Sequence, residues 1–178
     1  MVDPALEYLS KKCFETASQV TQEQREKLAE LITTNRKVFI YGSGRSGLVG
    51  ELLAVRLVQL GINVHLIGEM ATPIIGRSDL TILISNTGET SSVVKTANIA
   101  GRIGSYVVCF TSDAKSKLAH ASDMVIRMKP ECIRPEYAPL GTVFEGSVLL
   151  FFDSFISDLM RKFDCDEAEM KGRHAIWV

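Results

Sequence analysis

The chain has 178 residues, 46% hydrophobic and 23% charged, with a formal net charge of −1. That length is enough for one domain with a sizeable core, and a near-neutral charge with no long basic block speaks against a nucleic-acid surface as the main activity. The four cysteines, Cys13, Cys109, Cys132 and Cys165, are scattered without a Cys-x-x-Cys pair, which speaks against a disulfide framework or a metal site and fits free thiols in a reducing cytoplasm.

The N-terminus carries Asp3 and Glu7 and lacks the charged-then-apolar pattern of a signal peptide. Residues 4 to 34 read as helical: Leu6, Leu9, Cys13, Phe14 and Ala17 fall at helical spacing, and Leu28, Leu31 and Ile32 repeat it. Thr21 starts the second helix, with Gln24 as its capping-box partner. Five short apolar runs follow, Val38–Tyr41, Val64–Ile67, Leu80–Ile84, Tyr106–Phe110 and Met124–Met128. Valine and isoleucine dominate them with little polar alternation, as in strands of a parallel sheet covered on both faces. Helical patterns lie between them at Ser46–Leu60, Thr90–Ile103 and Ala114–Ala121, and Gly61 and Gly104 stand where helix C-caps fall.

The segment from Pro130 to Pro139 holds three prolines and reads as an irregular loop. A long helix follows from about Thr142 to Phe163, with more apolar residues than one core-facing stripe needs. The surplus is expected to pack against another subunit. No apolar stretch reaches the length that spans a bilayer, so the expected protein is cytoplasmic, with neither membrane nor nucleic acid as partner. The strand–helix alternation predicts an α/β fold: three layers, α/β/α, around a five-stranded parallel sheet in flavodoxin-like order, with extra N-terminal helices.

Two strand-to-helix turns carry the chemistry. Gly42-Ser43-Gly44-Arg45-Ser46-Gly47 follows the first strand, and Ser85-Asn86-Thr87-Gly88-Glu89-Thr90 follows the third. Each offers hydroxyls and backbone N–H groups at a helix N-terminus, where an anion is favoured. In a flavodoxin-like order the ends of the first and third strands flank the switch point where ligands bind. Ser43, Gly44, Arg45, Ser46, Ser85, Asn86, Thr87, Gly88 and Thr90 are therefore candidate contacts for a small phosphorylated ligand. The plain alternative for Ser43, Ser46, Thr87 and Thr90 is helix capping without a ligand. Gly42-x-Gly44-x-x-Gly47 also matches the dinucleotide fingerprint, with Glu69 as the acidic ribose contact. Against that reading, the first loop carries hydroxyls suited to a terminal phosphate and the second loop has no task in dinucleotide binding.

These residues resemble a known family. The first loop, Val55-Arg56-Leu57-Val58-Gln59-Leu60-Gly61, Gly68-Glu69 and Thr72-Pro73 resemble sugar isomerase (SIS) domains, and the second loop is similar to their phosphosugar loop. Gly141-Thr142-x-Phe144-Glu145 and Arg173-His174 narrow the resemblance to the 6-phospho-3-hexuloisomerases. Two departures stand out: Ser85-Asn86-Thr87-Gly88 replaces the usual Ser-Gly-Ser-Gly, and Ile176 replaces the asparagine of the usual tail. The resemblance spans nearly the whole chain. It implies one SIS domain over 1–178, with N-terminal helices to residue 35, a doubly wound core over 36–129, a long helix over 141–164 and a tail over 165–178.

It further implies interconversion of D-arabino-hex-3-ulose 6-phosphate and D-fructose 6-phosphate without metal or other cofactor, in a homo-oligomer (dimer or tetramer) with active sites at subunit contacts. An isomerase for another sugar, such as arabinose 5-phosphate, and a non-catalytic phosphosugar-binding module are the alternatives. Moving a carbonyl from C3 to C2 needs a base and proton traffic on two oxygens. Spacing alone makes Thr142 and Glu145 a capping box, whereas the resemblance places Glu145 at the site, as the base. His174 is the second catalytic candidate, for ring opening or proton shuttling. Of the other two histidines, His65 lies within a strand and His120 ends a helix. Arg45 is a candidate for neutralising phosphate or substrate oxygens, and Glu69 and Thr72 for reaching sugar hydroxyls.

Overall fold

The computed structural model describes residues 3–174. Ile176, Trp177 and Val178, on which part of the tail reading fell, lie outside the described residues. Helix α1 (Pro4–Ala17) opens with Asp3 accepting the amides of Ala5 and Leu6 and with Pro4 in the first turn. Helix α2 (Gln22–Thr34) carries the expected capping box between Thr21 and Gln24. The chain then alternates β1 (Val38–Gly42), α3 (Arg45–Gln59), β2 (Val64–Leu66), β3 (Leu80–Ile84), α4 (Ser91–Ile103), β4 (Tyr106–Thr111), α5 (Lys117–His120) and β5 (Met124–Arg127). Helices α6 (Thr142–Phe163) and α7 (Glu167–Gly172) complete the described part.

The sheet is wholly parallel in the order β2-β1-β3-β4-β5, which is the flavodoxin-like order. Side chains alternate between its faces with the strand period of two. Ile82, Ile84, Val108 and Phe110 join one core with α2, α3 and α6, while Leu83, Val107 and Cys109 join the other with α4 and α5. Gly104 ends α4 in the left-handed region, and Gly61, also at positive φ, follows α3. Both glycines thus hold the expected C-terminal positions. No helix among the described residues is long and apolar enough to cross a membrane.

Two expectations need correction. The apolar surplus of α6 is covered largely by the chain itself: Phe144, Val148, Phe151, Phe152, Phe155 and Leu159 are buried in the core shared with α2, α3 and the sheet, and α1 packs on the same helix. Phe110 meets Phe152 edge-on at 4.9 Å, and Phe151 stacks on Phe155 at 5.6 Å. Arg25 of α2 lies over both stacked rings and is held by Asp158 at 2.6 Å. Of the apolar side chains of α6, only Leu150 and Phe163 remain exposed. Helix α5 is shorter than expected, because the Asp113 carboxylate accepts the Lys115 amide in a turn and Ser116 caps the helix. Beyond the sequence reading, Asp166 and Glu169 form a capping box that starts α7 within the tail.

Candidate active site

The parallel register pairs Gly42 with Ile84, so the two candidate loops leave the sheet side by side. In the first, Gly42 and Gly47 approach so closely that a Cβ on Gly42 would lie 2.8 Å from the Gly47 nitrogen, and one on Gly47 would lie 2.8 Å from the Gly42 carbonyl. Backbone cannot yield there, so both positions require glycine. Gly44, at φ 59°, is the N-cap of α3, and no side chain caps that helix. The first turn of an α-helix leaves amides without intrahelical partners; here Gly47 donates to the Gly44 carbonyl at 3.0 Å and Ser46 is buried.

In the second loop the Ser85 and Thr90 hydroxyls meet at 3.1 Å, Ser85 Oγ accepts the Gly88 amide at 3.2 Å, and Thr87 Oγ1 accepts the Glu89 amide at 3.2 Å. Thr90 occupies the N-cap of α4 without making a side-chain cap. Capping therefore does not account for these hydroxyls at either helix. Ser43, Ser46, Ile84, Ser85, Asn86, Thr87 and Thr90 line one small cavity of about 120 Å³, on the scale of a phosphoryl group rather than a whole sugar.

The second loop is braced from behind by residues that sequence reasoning missed. The Asn86 carbonyl accepts from the Ser112 amide (2.9 Å), the Ser112 hydroxyl (2.7 Å) and the Thr111 hydroxyl (3.2 Å). The Leu118 amide donates to the Gly88 carbonyl at 3.0 Å. Glu89 points away from the cavity: its carboxylate takes the Lys117 amide at 3.0 Å and the Lys117 ammonium at 2.7 Å, a contact that lowers the Glu89 pKa and raises that of Lys117. The Thr-Ser pair ending β4 was the available signal, since hydroxyls at a strand end beside a loop find backbone acceptors.

Helix α6 starts beside these loops. The capping box read from Thr142 and Glu145 does not form: Gly141 is the N-cap with no side-chain cap, and Thr142 donates its hydroxyl to the Pro139 carbonyl at 2.6 Å. The Glu145 carboxylate instead pairs with Nε of Arg45 from the first loop. A cation at the start of α3 opposes the helix dipole, and the buried Glu145 carboxylate is the compensating partner. The Asn86 carboxamide borders the same place, across the backbone of Gly141.

The other candidates lie elsewhere. Thr72 uses its hydroxyl within its own turn, donating to the carbonyls of Leu66 and Glu69. Glu69 is exposed beyond the edge strand and is not among the cavity's lining residues. His65 lies against Phe39, with ring centroids 5.5 Å apart, and His120 Nδ1 is 2.8 Å from the Ser116 carbonyl. His174 is not among the residues lining the loop cavity. Its neighbour Arg173 donates to the Gln59 carbonyl at 3.3 Å, at the last residue of α3, and His174 lines a cleft with Arg56, Asp153 and Met160. Since an α-helix rises about 1.5 Å per residue, the Gln59 end of α3, where Arg173 docks, lies roughly 20 Å from Arg45, and Asp153 of the cleft lies about 12 Å along α6 from Glu145.

A helix-covered parallel sheet with twin hydroxyl loops at its switch point defines a phosphosugar-binding α/β domain. The SIS domain model matches residues 31–154, and the chain belongs to the SIS domain family. It is 34% identical over 167 residues to the 3-hexulose-6-phosphate isomerase of Bacillus subtilis, covering 90% of each chain. It is 36% identical over 149 residues to the 3-hexulose-6-phosphate isomerase of Methanocaldococcus jannaschii, covering 84% of this chain and 81% of that one. A crystal structure of a hypothetical protein from Methanococcus jannaschii, reported as inferring 3-hexulose-6-phosphate isomerase function, superposes with a TM-score of 0.89 at 30% identity, covering 97% of this chain and 98% of that chain. Membership in this family displaces the dinucleotide reading of the first loop.

Proposed function

We propose that the chain is a phosphosugar isomerase that interconverts D-arabino-hex-3-ulose 6-phosphate and D-fructose 6-phosphate, working as a single cytoplasmic domain within a homo-oligomer. The observation that carries the proposal is the placement of Glu145, a buried carboxylate at the head of α6, against Arg45 of the loop that lines the phosphate-sized cavity. The two isomerase relatives over most of the chain supply the substrate.

In this mechanism the 6-phosphoryl group sits among Ser43, Ser46, Ser85, Thr87 and Thr90 and on the free amides at the starts of α3 and α4. That anchors one end of the open-chain sugar and aims its other end at α6. Glu145 removes the proton from C2 of the 3-ketose, giving a cis-enediol across C2 and C3, and returns a proton to C3. O3 takes up a proton as the enediol forms and the O2 hydroxyl gives one up as C3 is protonated, so the carbonyl moves from C3 to C2 with no net change in atoms or electrons. A single carboxylate on one face of a cis-enediol suffices for both carbon transfers. His174 serves ring opening or the transfer between oxygens. Because it lies at the far end of α3, it acts on the Glu145 of another subunit.

The test is to incubate purified protein with fructose 6-phosphate and follow the carbon-bound hydrogens by NMR. Equilibration with the 3-ketose phosphate is expected. Turnover of arabinose 5-phosphate in preference would move the assignment to that substrate, and binding without turnover of any phosphosugar would leave a sensor module.

A further inference from the structure

The Glu145 side chain is 11% exposed and that of Arg45 is 67% exposed. Among the described residues Arg45 is the one cation paired with this carboxylate, and it engages Glu145 through Nε, leaving the terminal nitrogens of its guanidinium unengaged by any side chain. Around Glu145, α3 presents Arg45, the loop after β3 presents the neutral Asn86 carboxamide near Gly141, and α1 presents the Cys13 thiol against Gly146. Arg45 stands between Gly44 and Ser46, in the loop whose hydroxyls line the cavity; it is not itself a lining residue, and its side chain reaches Glu145. One cation thus stands next to both the phosphate cup and the base.

A guanidinium carries five N–H donors in a planar fork that suits a phosphoryl group, and a phosphoryl group near neutral pH holds more charge than a carboxylate. We propose that Arg45 makes the base answer to the substrate's phosphoryl group: with the cup empty it holds the Glu145 carboxylate, and a bound phosphoryl group draws it away and leaves Glu145 open to the substrate. The inference rests on the assignment of cup and base made above. A carboxylate oxygen engaged by the guanidinium is not open to a substrate proton, and a general base must reach that proton directly. A sugar lacking the phosphoryl group thus meets a base that is still masked.

Binding linkage is reciprocal, so the coupling is readable without catalysis. The experiment measures the affinity of inorganic phosphate by calorimetry for the unmodified protein, Glu145→Gln, Arg45→Gln and the double variant. Glu145→Gln is expected to tighten phosphate about fivefold or more, within the usual range of coupling between sites, and the gain is expected to vanish when Arg45 is already glutamine. Equal tightening in both backgrounds would mean direct repulsion between carboxylate and phosphate and would overturn the proposal, as would no tightening at all. Turnover of fructose 6-phosphate by the unmodified protein is scored separately. Turnover without coupling sinks only the gate, and coupling without turnover sinks only the isomerase reading.

Discussion

The carboxamide nitrogen of Asn86 lies 3.1 Å, and Oε1 of Glu145 3.5 Å, from the point where a side chain on Gly141 would begin. Two polar groups from different layers of the fold thus border one gap, and Asn86 also lines the phosphate-sized cavity. Gly141 itself has φ −99°, a conformation open to any residue, so the glycine there keeps space rather than backbone freedom. Gly141→Ala is expected to leave the melting temperature nearly unchanged while lowering kcat/KM by roughly tenfold to a hundredfold, the scale of a small displacement of reacting groups. Unaltered kinetics in a normally folded Gly141→Ala protein would remove this gap from the substrate path.

Glu145→Gln keeps the size of the side chain and removes its basicity. A loss of about 10²–10⁴ in kcat is expected from deleting a general base, with fructose 6-phosphate still bound, since the phosphate cavity is lined by other residues. Full turnover in this variant would take Glu145 out of the chemistry.

The distance between Glu145 and His174 within one chain makes a complementation experiment decisive. Glu145→Gln and His174→Ala subunits, each inactive alone, are to be unfolded together and refolded as mixtures. If each site combines residues of two subunits, random pairing in a two-fold dimer restores roughly a quarter of the normal activity. No recovery would confine His174 to its own chain and argue against a role at the Glu145 site.

Cys109 gives a pH dependence of stability with a definite sign. Burial in β4 pushes its thiol up from 9.0 to about 11, against a smaller lowering through its hydrogen bond with Ser122. Between those values the unfolded chain has released the proton and the native chain retains it, so the native state binds more protons and stability falls as pH rises. The slope approaches about 1.4 kcal/mol per pH unit for one group. Urea unfolding at about pH 8.5 and about pH 10 is expected to show the unmodified protein losing ~1–2 kcal/mol more than Cys109→Ala over that interval. Equal losses would mean the thiol ionises freely in the native state.

Much of this fold follows from local patterns. The Val- and Ile-rich runs mark all five strands within a residue or so, because burial on both faces of a parallel sheet permits little else. The Thr21–Gln24 cap and the glycines at 61 and 104 are likewise properties of near neighbours. Local pattern misleads where two local explanations compete: Thr142 and Glu145 have capping-box spacing, yet the glutamate turns to Arg45. It also misses α7, where Asp166 and Glu169 form a capping box in what reads as a tail.

The sequence by itself determined the elements, the strand order expected of them and the two hydroxyl loops, since period, caps and turn residues act over a few positions. Tertiary structure alone decided three further matters: that Arg45 meets Glu145 across 100 residues of chain, that α1, α2 and α3 enclose the aromatic side chains of α6, and that His174 falls at the far end of α3. Each depends on how helices cross a twisted sheet, and no spacing along the chain encodes the distance between surfaces that only packing brings together.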